Sequence, residues 1–200
     1  MYWDPALWEG MLSGLLVFLI CLPHFLRKKR PLQITALAAL FLYGGAIFSL
    51  TMVIPLPGGI HFSPEASAWV LRSIRWSPFS SAENILHNSL ILGTLRPFLR
   101  IVGGNFVMLM PLAILLPVIS PKIKFSHMLF LCFLIPVGIE SLQLLNNILA
   151  GAVLRTVELE DVLLNGGGCL LMSILAFGIR GCYRKIKKRE KTNKIRKGTA

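Results

Sequence analysis

Acidic and amide side chains interrupt the most apolar stretches of this 200-residue chain. Glu140 and Gln143 lie three residues apart, and Asp161 and Asn165 lie four apart, so each pair shares one face of a helix. An ionised carboxylate inside a bilayer costs about 2.5–3.5 kcal/mol, and such groups normally face a bundle interior or water and pair with one another. The pattern therefore indicates either a polar binding pocket or an acid–base pair formed by Glu140 and Asp161.

Asn105 and Arg155 fall into the same layer as these two pairs once the helices are placed in order. We expect Arg155 to be the counter-ion of a carboxylate. A structural alternative is a buried network that locks three helices together, but each bond of that kind contributes only about 0.6–2 kcal/mol. Two carboxylates, an arginine and several amides in one layer are more than packing needs. The predicted ligand-binding residues are Asn105, Glu140, Gln143, Arg155, Asp161 and Asn165.

No other set of reactive residues indicates a site. The histidines are scattered along the chain, at His24, His61, His87 and His127. The cysteines lack metal-ligand spacing and are expected to be small buried hydrophobes; they are Cys21, Cys132, Cys169 and Cys182. No serine lies in a nucleophile motif, and the glycines at 166–168 lack the lysine of a phosphate-binding loop. We therefore expect no metal and no cofactor. Whether the chain is an enzyme stays open, with a non-enzymatic role favoured.

The composition is that of a membrane protein. Hydrophobic residues make up 54% of the chain and charged residues 15%, with a mean hydropathy of +0.68, whereas a soluble domain carries far more charge. The net charge of +12 could suggest nucleic acid, but the basic residues cluster at the ends of apolar runs, as membrane topology signals do. We therefore expect membrane lipid as a partner and no nucleic acid.

Five apolar runs are long enough to cross a bilayer as helices, which takes about 20 residues. They are residues 7–26, 32–54, 99–119, 125–145 and 159–179. Residues 60–98 carry too many charges to cross, so we expect an amphipathic helical segment on the outer face, with Ser80 and Glu83 as a capping box. The predicted fold is all-α, a polytopic transmembrane helical bundle. We expect a single membrane domain, residues 1–180, followed by a basic, disordered cytoplasmic tail, residues 181–200.

The distribution of lysine and arginine predicts the orientation of a multi-pass cell-membrane protein. On one side lie the basic residues at 27–30, Lys122, Lys124 and those of the tail from Arg180 onward. The other side holds only Arg72, Arg75, Arg96, Arg100 and Arg155. The N-terminus is therefore expected outside and the C-terminus in the cytoplasm. Acidic residues precede the first span, unlike in a cleaved signal peptide, so we expect that span to stay attached.

The order of the polar motifs resembles that of the VanZ-like membrane protein family. The resemblance covers about residues 75–180. It rests on Ser77-Pro78-Phe79, Gly104-Asn105, Pro111-Leu112, Pro117, Glu140-x-x-Gln143, Arg155, Asp161, Asn165 and Gly168. Two features depart from the family's pattern: Ala113 stands where glycine is usual, and the apolar stretch 144–154 between Gln143 and Arg155 is unusually wide.

The resemblance implies a protein of the bacterial cell envelope. The family is named for a protein that gives low-level resistance to the glycopeptide antibiotic teicoplanin. With the outer-leaflet pocket, this implies binding of a lipid-linked cell-wall precursor or a glycopeptide. Two alternatives stay open. One is an integral membrane enzyme that modifies an envelope lipid or wall precursor with Glu140 or Asp161 as acid or base. The other is a transporter, which the lack of a visible repeat disfavours.

The orientation can be tested by labelling single cysteines in intact cells. A cysteine introduced at Ser63 is expected to react with a membrane-impermeant thiol reagent, because residues 60–98 are predicted to lie outside. A cysteine introduced at Thr192 is expected not to react. The unsubstituted chain gives the background from the native cysteines. The reverse labelling pattern would overturn the orientation.

Overall fold

The structure, a computed structural model, describes residues 5–52 and 63–198. Its helices are α1 (Pro5–Lys28), α2 (Pro31–Thr51), α3 (Pro64–Arg72), α4 (Ser80–Ile91), α5 (Arg96–Ile119), α6 (Phe125–Ala150) and α7 (Leu159–Gly198). No strand occurs in this part of the chain, where an isolated parallel bridge joins Arg75 to Glu158. The prediction of an all-α bundle is confirmed.

Five of these helices, α1, α2, α5, α6 and α7, are long and apolar enough to cross a membrane. The number of spans predicted from the sequence is therefore confirmed. α6 continues past the predicted end at residue 145 to Ala150, and it stops where Gly151 adopts a left-handed φ of 64°. The predicted end of the second span at residue 54, and the turn after it, lie outside the described residues.

The basic tail continues the last helix, which differs from the disorder predicted for it. α7 extends from Leu159 to Gly198. Lysine, arginine and glutamate all have high helix propensity, and no glycine or proline occurs between Gly181 and Gly198. A block of like charges favours disorder because the charges repel one another, but a helix that is already formed in the membrane needs no new nucleus to propagate into the tail.

The centre of the bundle is formed by α5 and α7. α7 packs against α6 and α5, and the second half of α5 packs against α2, which in turn pairs with α1. One buried cluster joins α5, α6 and α7 and contains Leu109, Ala113, Met128, Cys132 and Cys169. A second joins α1, α2 and the end of α5 and contains Phe18, Ala36, Leu37 and Ile119. Many other large apolar side chains are exposed, as expected where lipid surrounds the bundle.

The approach of α7 to α5 depends on Gly168. A Cβ atom placed on Gly168 would collide with the backbone carbonyl oxygen of Phe106. Phe106 follows Asn105 in α5, and Gly168 lies about two turns beyond Asp161 in α7. Small residues permit such close contact between membrane helices. This contact therefore holds the polar ends of α5 and α7 together.

We expect Gly168→Ala to destabilise the bundle by about 1–3 kcal/mol, the usual cost of overpacking. The matched control is Gly167→Ala, because the nearest atom to its added Cβ is a ring carbon of Phe106 at 3.8 Å, an ordinary contact. Thermal unfolding of both variants in one detergent measures the difference. Equal melting temperatures would show that the close approach is not needed.

Candidate functional site

A carboxylate from α7 holds the start of α4. Glu160 Oε2 accepts hydrogen bonds from the backbone N–H groups of Ser81, at 3.0 Å, and Ala82, at 3.2 Å. Phe79, the residue before the helix, has a left-handed φ of 64° and no capping side chain. The free N–H groups of the first turn therefore need another acceptor. A buried carboxylate suits this place because negative charge is favourable at a helix N-terminus.

The capping box predicted from Ser80 and Glu83 is not formed. Ser80 Oγ donates instead to the carbonyl oxygen of Ser77 at 3.2 Å, and Glu83 is exposed. The helix does begin at Ser80, as predicted. The prediction was wrong about the capping side chain, which was expected to be a local one. The acceptor for the N–H of Ser81 is instead Glu160, 79 residues further along the chain.

The segments that precede α4 and α7 pair with each other. Arg75 N donates to the carbonyl of Val157, and Leu159 N donates to the carbonyl of Arg75, both at 3.0 Å. The Arg75 guanidinium forms a salt bridge to Glu158 at 3.1 Å and donates to Ser81 Oγ at 3.1 Å. Exposed ion pairs contribute only about 0–1 kcal/mol. The backbone pairing is therefore the firmer link between the two segments.

The start of α7 meets the first half of α5 through Asp161 and Asn105, where Asn105 Nδ2 donates to Asp161 Oδ1. Asn165, one turn further along α7, donates from Nδ2 to the carbonyl of Asp161 at 2.8 Å. The Oδ1 atom of Asn165 is buried and has no hydrogen-bond partner among the described residues. The structure therefore brings these three residues together.

Glu140 and Gln143 bind backbone groups next to α6. Glu140 Oε2 accepts a hydrogen bond from the N–H of Glu158 at 3.1 Å. Gln143 Nε2 donates to the carbonyl of Thr51, the last residue of α2, at 3.1 Å. Both side chains are buried. They hold the segment that leads into α7 and the end of α2.

Arg155 is bound to a helix end, contrary to the prediction that it neutralises a carboxylate. Its Nη2 donates to the carbonyl of Leu50, in the last turn of α2, at 2.8 Å. No salt bridge joins Arg155 to Glu140 or Asp161 in the part of the chain that the structure describes, where Glu158 pairs with Arg75. Carbonyl groups at a helix C-terminus lack partners and carry partial negative charge, which favours a cation there.

A cleft of about 180 Å³ lies where α4, α5 and α7 meet. Its polar lining consists of Arg75, Ser81, Asn84, Asn105, Glu158, Glu160 and Asp161, and its apolar lining of Ile85, Ile101, Val102 and Leu164. Two of the predicted ligand-binding residues, Asn105 and Asp161, therefore line the cleft. The remaining four, Glu140, Gln143, Arg155 and Asn165, are not among its lining residues.

The cleft can supply hydrogen bonds and charge to a polar group beside an apolar wall. Ile101 and Val102 belong to a π-helical turn of α5, Leu99–Gly103, a local widening of the helix that is frequent at functional sites. Among the described residues, no group of three histidine, cysteine, aspartate or glutamate side chains is arranged to hold a metal ion.

Comparison with known proteins assigns the chain to a family. The family model described as VanZ/LLP1 matches residues 40–180. The chain belongs to the VanZ/LLP1 family. The resemblance given by the polar motifs is thus confirmed, and the VanZ/LLP1 region contains every residue that lines the cleft. No match was found among curated proteins or among solved structures.

Within the VanZ/LLP1 region, sequence reasoning missed Asn147 as an organising residue. Asn147 is buried. It accepts the N–H groups of Leu154 at 3.0 Å and Arg155 at 3.3 Å, and it donates to the carbonyl of Arg155 at 2.6 Å. A signal was present, because Asn147 follows Gln143 by four residues and Glu140 by seven, on the same helix face.

Glu158 and Glu160 were also missed, together with the contribution of Arg75. Glu158 and Glu160 lie at the start of the fifth span, where a carboxylate is ordinarily read as a local first-turn charge. Their partners, Arg75 and Ser81, are about 80 residues away in the chain. Neither periodicity nor spacing gives a signal for contacts at that separation.

We expect Glu160→Gln to loosen the start of α4 in this VanZ/LLP1 protein. Glutamine can still accept a hydrogen bond, but bonds to charged groups contribute about 1.5–3 kcal/mol and neutral ones about 0.5–1.5 kcal/mol. Amide exchange in the first turns of α4 should therefore rise about fivefold to tenfold, as measured by hydrogen–deuterium exchange with mass spectrometry. The control is Glu83→Gln, an exposed carboxylate in the same helix. Similar exchange in both variants would refute the capping role.

Proposed function

We propose that this VanZ/LLP1 protein binds an envelope ligand, a lipid-linked cell-wall precursor or a glycopeptide, in the cleft between α4, α5 and α7. The contact between Asn105 and Asp161 on the cleft wall carries the proposal. Asp161 belongs to a spanning helix, and an ionisable residue within a membrane-spanning segment is by default a candidate functional residue. Teicoplanin resistance would be one consequence of such binding.

The hydrogen-bonding capacity of Asp161 supports a ligand. A carboxylate can accept about four hydrogen bonds, and among the described residues the Asp161 side chain accepts one, from Asn105. The neighbouring Glu160 is already engaged by the start of α4. Asp161 can therefore accept further hydrogen bonds, and the exposed amide of Asn84 lines the same cleft. Both suit the hydroxyl or ammonium donors of a sugar or peptide head group.

The apolar part of the lining supports a ligand with a hydrophobic portion. Ile101, Val102 and Leu164 lie on the cleft wall contributed by α5 and α7. Burying apolar ligand surface against them contributes about 25 cal/mol for each Å² removed from water. A molecule with a polar head and an apolar chain would use both parts of the lining.

The charge distribution supports a cleft on the outer side of the membrane. The cleft lies at the end of the bundle that carries the starts of α5 and α7, where the sequence has few basic residues. The lysine-rich tail follows the opposite end of α7. Because cytoplasmic loops carry the excess of lysine and arginine, this assignment exposes the cleft to wall precursors and glycopeptides outside the cell.

An enzymatic role for the same cleft has weaker support. The acid–base pair suggested by the sequence requires both carboxylates to reach the substrate. Asp161 lines the cleft, but Glu140 does not, and one oxygen of Glu140 accepts the N–H of Glu158. We therefore favour binding without a chemical step.

Asp161→Asn is expected to weaken ligand binding by about tenfold or more, because it removes the charge from hydrogen bonds that contribute about 1.5–3 kcal/mol. Wild-type and variant proteins in nanodiscs would be titrated with a fluorescent lipid-linked wall precursor and, separately, with teicoplanin. Glu65→Gln is the control, since Glu65 is an exposed carboxylate of α3 that does not line the cleft.

Three results would count against this proposal. Unchanged affinity of Asp161→Asn would remove Asp161 from the site. A loss of affinity that is matched by an equal loss of thermal stability would make the contact with Asn105 a packing feature. Conversion of the precursor to a product, detected by chromatography and lost in Asp161→Asn, would indicate the enzyme instead.

A further inference from the structure

Three different surfaces run along α4. Ser81 and Ile85 line the cleft, and Ser89 is buried one turn further on the same side of the helix. Successive residues turn by about 100° around a helix axis, so Leu86 and Leu90 lie on a neighbouring side. Both are exposed, Leu86 by 36% and Leu90 by 64%. α4 therefore presents apolar side chains that are partly or largely exposed in the described part of the chain.

The third surface of α4 is polar over its first two turns. Glu83 and His87 lie on it and are exposed, as are Asn84 and Asn88 beside them, whereas Ile91 at the end of the helix, 71% exposed, lies on the same side. A helix with one apolar and one polar exposed side is typical of helices that lie in the plane of a membrane interface. The packed side places α4 against the bundle, and its two exposed sides are those of a helix that suits a position between lipid and water.

Both ends of α4 are fixed to the ends of spanning helices. Its N-terminus is bound by Glu160, the second residue of α7. Its C-terminus leads through Gly93 and Thr94 to Leu95 and then Arg96, where α5 begins. Asn105, in the first half of α5, contacts Asp161 near the start of α7, so the starts of these two helices lie on the same side of the bundle. α4 is thereby held on that side of the bundle.

Exposed tryptophans lie on the same side of the bundle. Trp76, which is 69% exposed, directly follows Arg75, whose backbone pairs with the segment before α7. Trp69 of α3 is also exposed. Tryptophan is enriched at membrane–water interfaces, because its ring is apolar while its N–H prefers a polar partner.

We infer that α4 lies in the membrane interface, with Leu86 and Leu90 against lipid and His87 against water, and that it forms the wall at which the cleft meets the bilayer. The partner of this surface is the lipid bilayer itself. The inferred position of α4 does not depend on any ligand. The inference that a ligand enters the cleft past α4 rests on the function proposed above.

The lining of the cleft reaches the lipid-facing surface of α5. Ile101 lines the cleft, yet it is 49% exposed on a spanning helix. It lies five residues beyond Arg96, which is about 8 Å along the helix at 1.5 Å per residue. A ligand with an apolar chain can therefore reach the polar lining sideways, from within the leaflet and between α4 and α5.

The position of α4 can be measured with nitroxide spin labels at two adjacent residues. Leu86→Cys and His87→Cys would be labelled in a chain carrying Cys21→Ala and Cys182→Ala, since Cys132 and Cys169 are buried. In nanodiscs of phosphatidylethanolamine and phosphatidylglycerol, collision rates with oxygen, which concentrates in lipid, and with a water-soluble nickel chelate are recorded. We expect a several-fold higher oxygen-to-nickel ratio at Leu86 than at His87.

Equal, nickel-dominated collisions at both residues would place α4 in water, and equal, oxygen-dominated collisions would place it within lipid. Either result overturns the inference. If Leu86→Cys does not fold, Leu90→Cys reports on the same surface. The spin-label measurements are made without a ligand, so they test the position of α4 independently of ligand binding. They could exclude an interfacial α4 while the titrations still show that Asp161 binds a ligand. They could equally confirm an interfacial α4 while the titrations show no binding.

Discussion

Peptide groups at helix ends have no partners within the helix, and in a membrane protein each group left without one is costly. In this structure, side chains from distant parts of the chain supply those partners. Glu160 of α7 accepts the first N–H groups of α4, while Gln143 and Arg155 donate to the last carbonyl groups of α2. These contacts fix α2, α4, α6 and the start of α7 to one another at one end of the bundle. At the other end, Gln33 of α2 donates to the carbonyl of Ile119, the last residue of α5.

This constraint separates polar residues that look alike in the sequence. Gln143 and Arg155 are used to complete α2, and Glu140 holds the segment before α7. Asn105 and Asp161 complete no helix end and line the cleft instead. The first set fixes the end of α2 and the segment before α7, and the second lines the cleft. The structure therefore contains a buried network beside a cleft that is lined by two of the six residues predicted to bind a ligand.

The sequence predicted well what depends on composition and period, namely the five spans and the placement of the polar pairs on shared faces of α6 and α7. It did not predict which partner each side chain takes. Arg155 illustrates the reason: Coulomb attraction to a carboxylate was the obvious expectation, but Asn147 fixes the backbone of Arg155, and Leu50 is what lies within its reach. Which hydrogen-bond partner a side chain takes depends on how closely the helices approach one another. The contact of Gly168 in α7 with the backbone of Phe106 in α5 is one such close approach.

The unbroken continuation of α7 has an electrostatic consequence. A helix that leaves the membrane without a break carries its charges away from the lipid surface. From Arg180 to residue 197 the axis rises about 26 Å at 1.5 Å per residue, whereas the screening length at physiological salt is about 8 Å. Where such a helix continues along the direction of its span, anionic lipid therefore acts strongly only on the charges of its first turns.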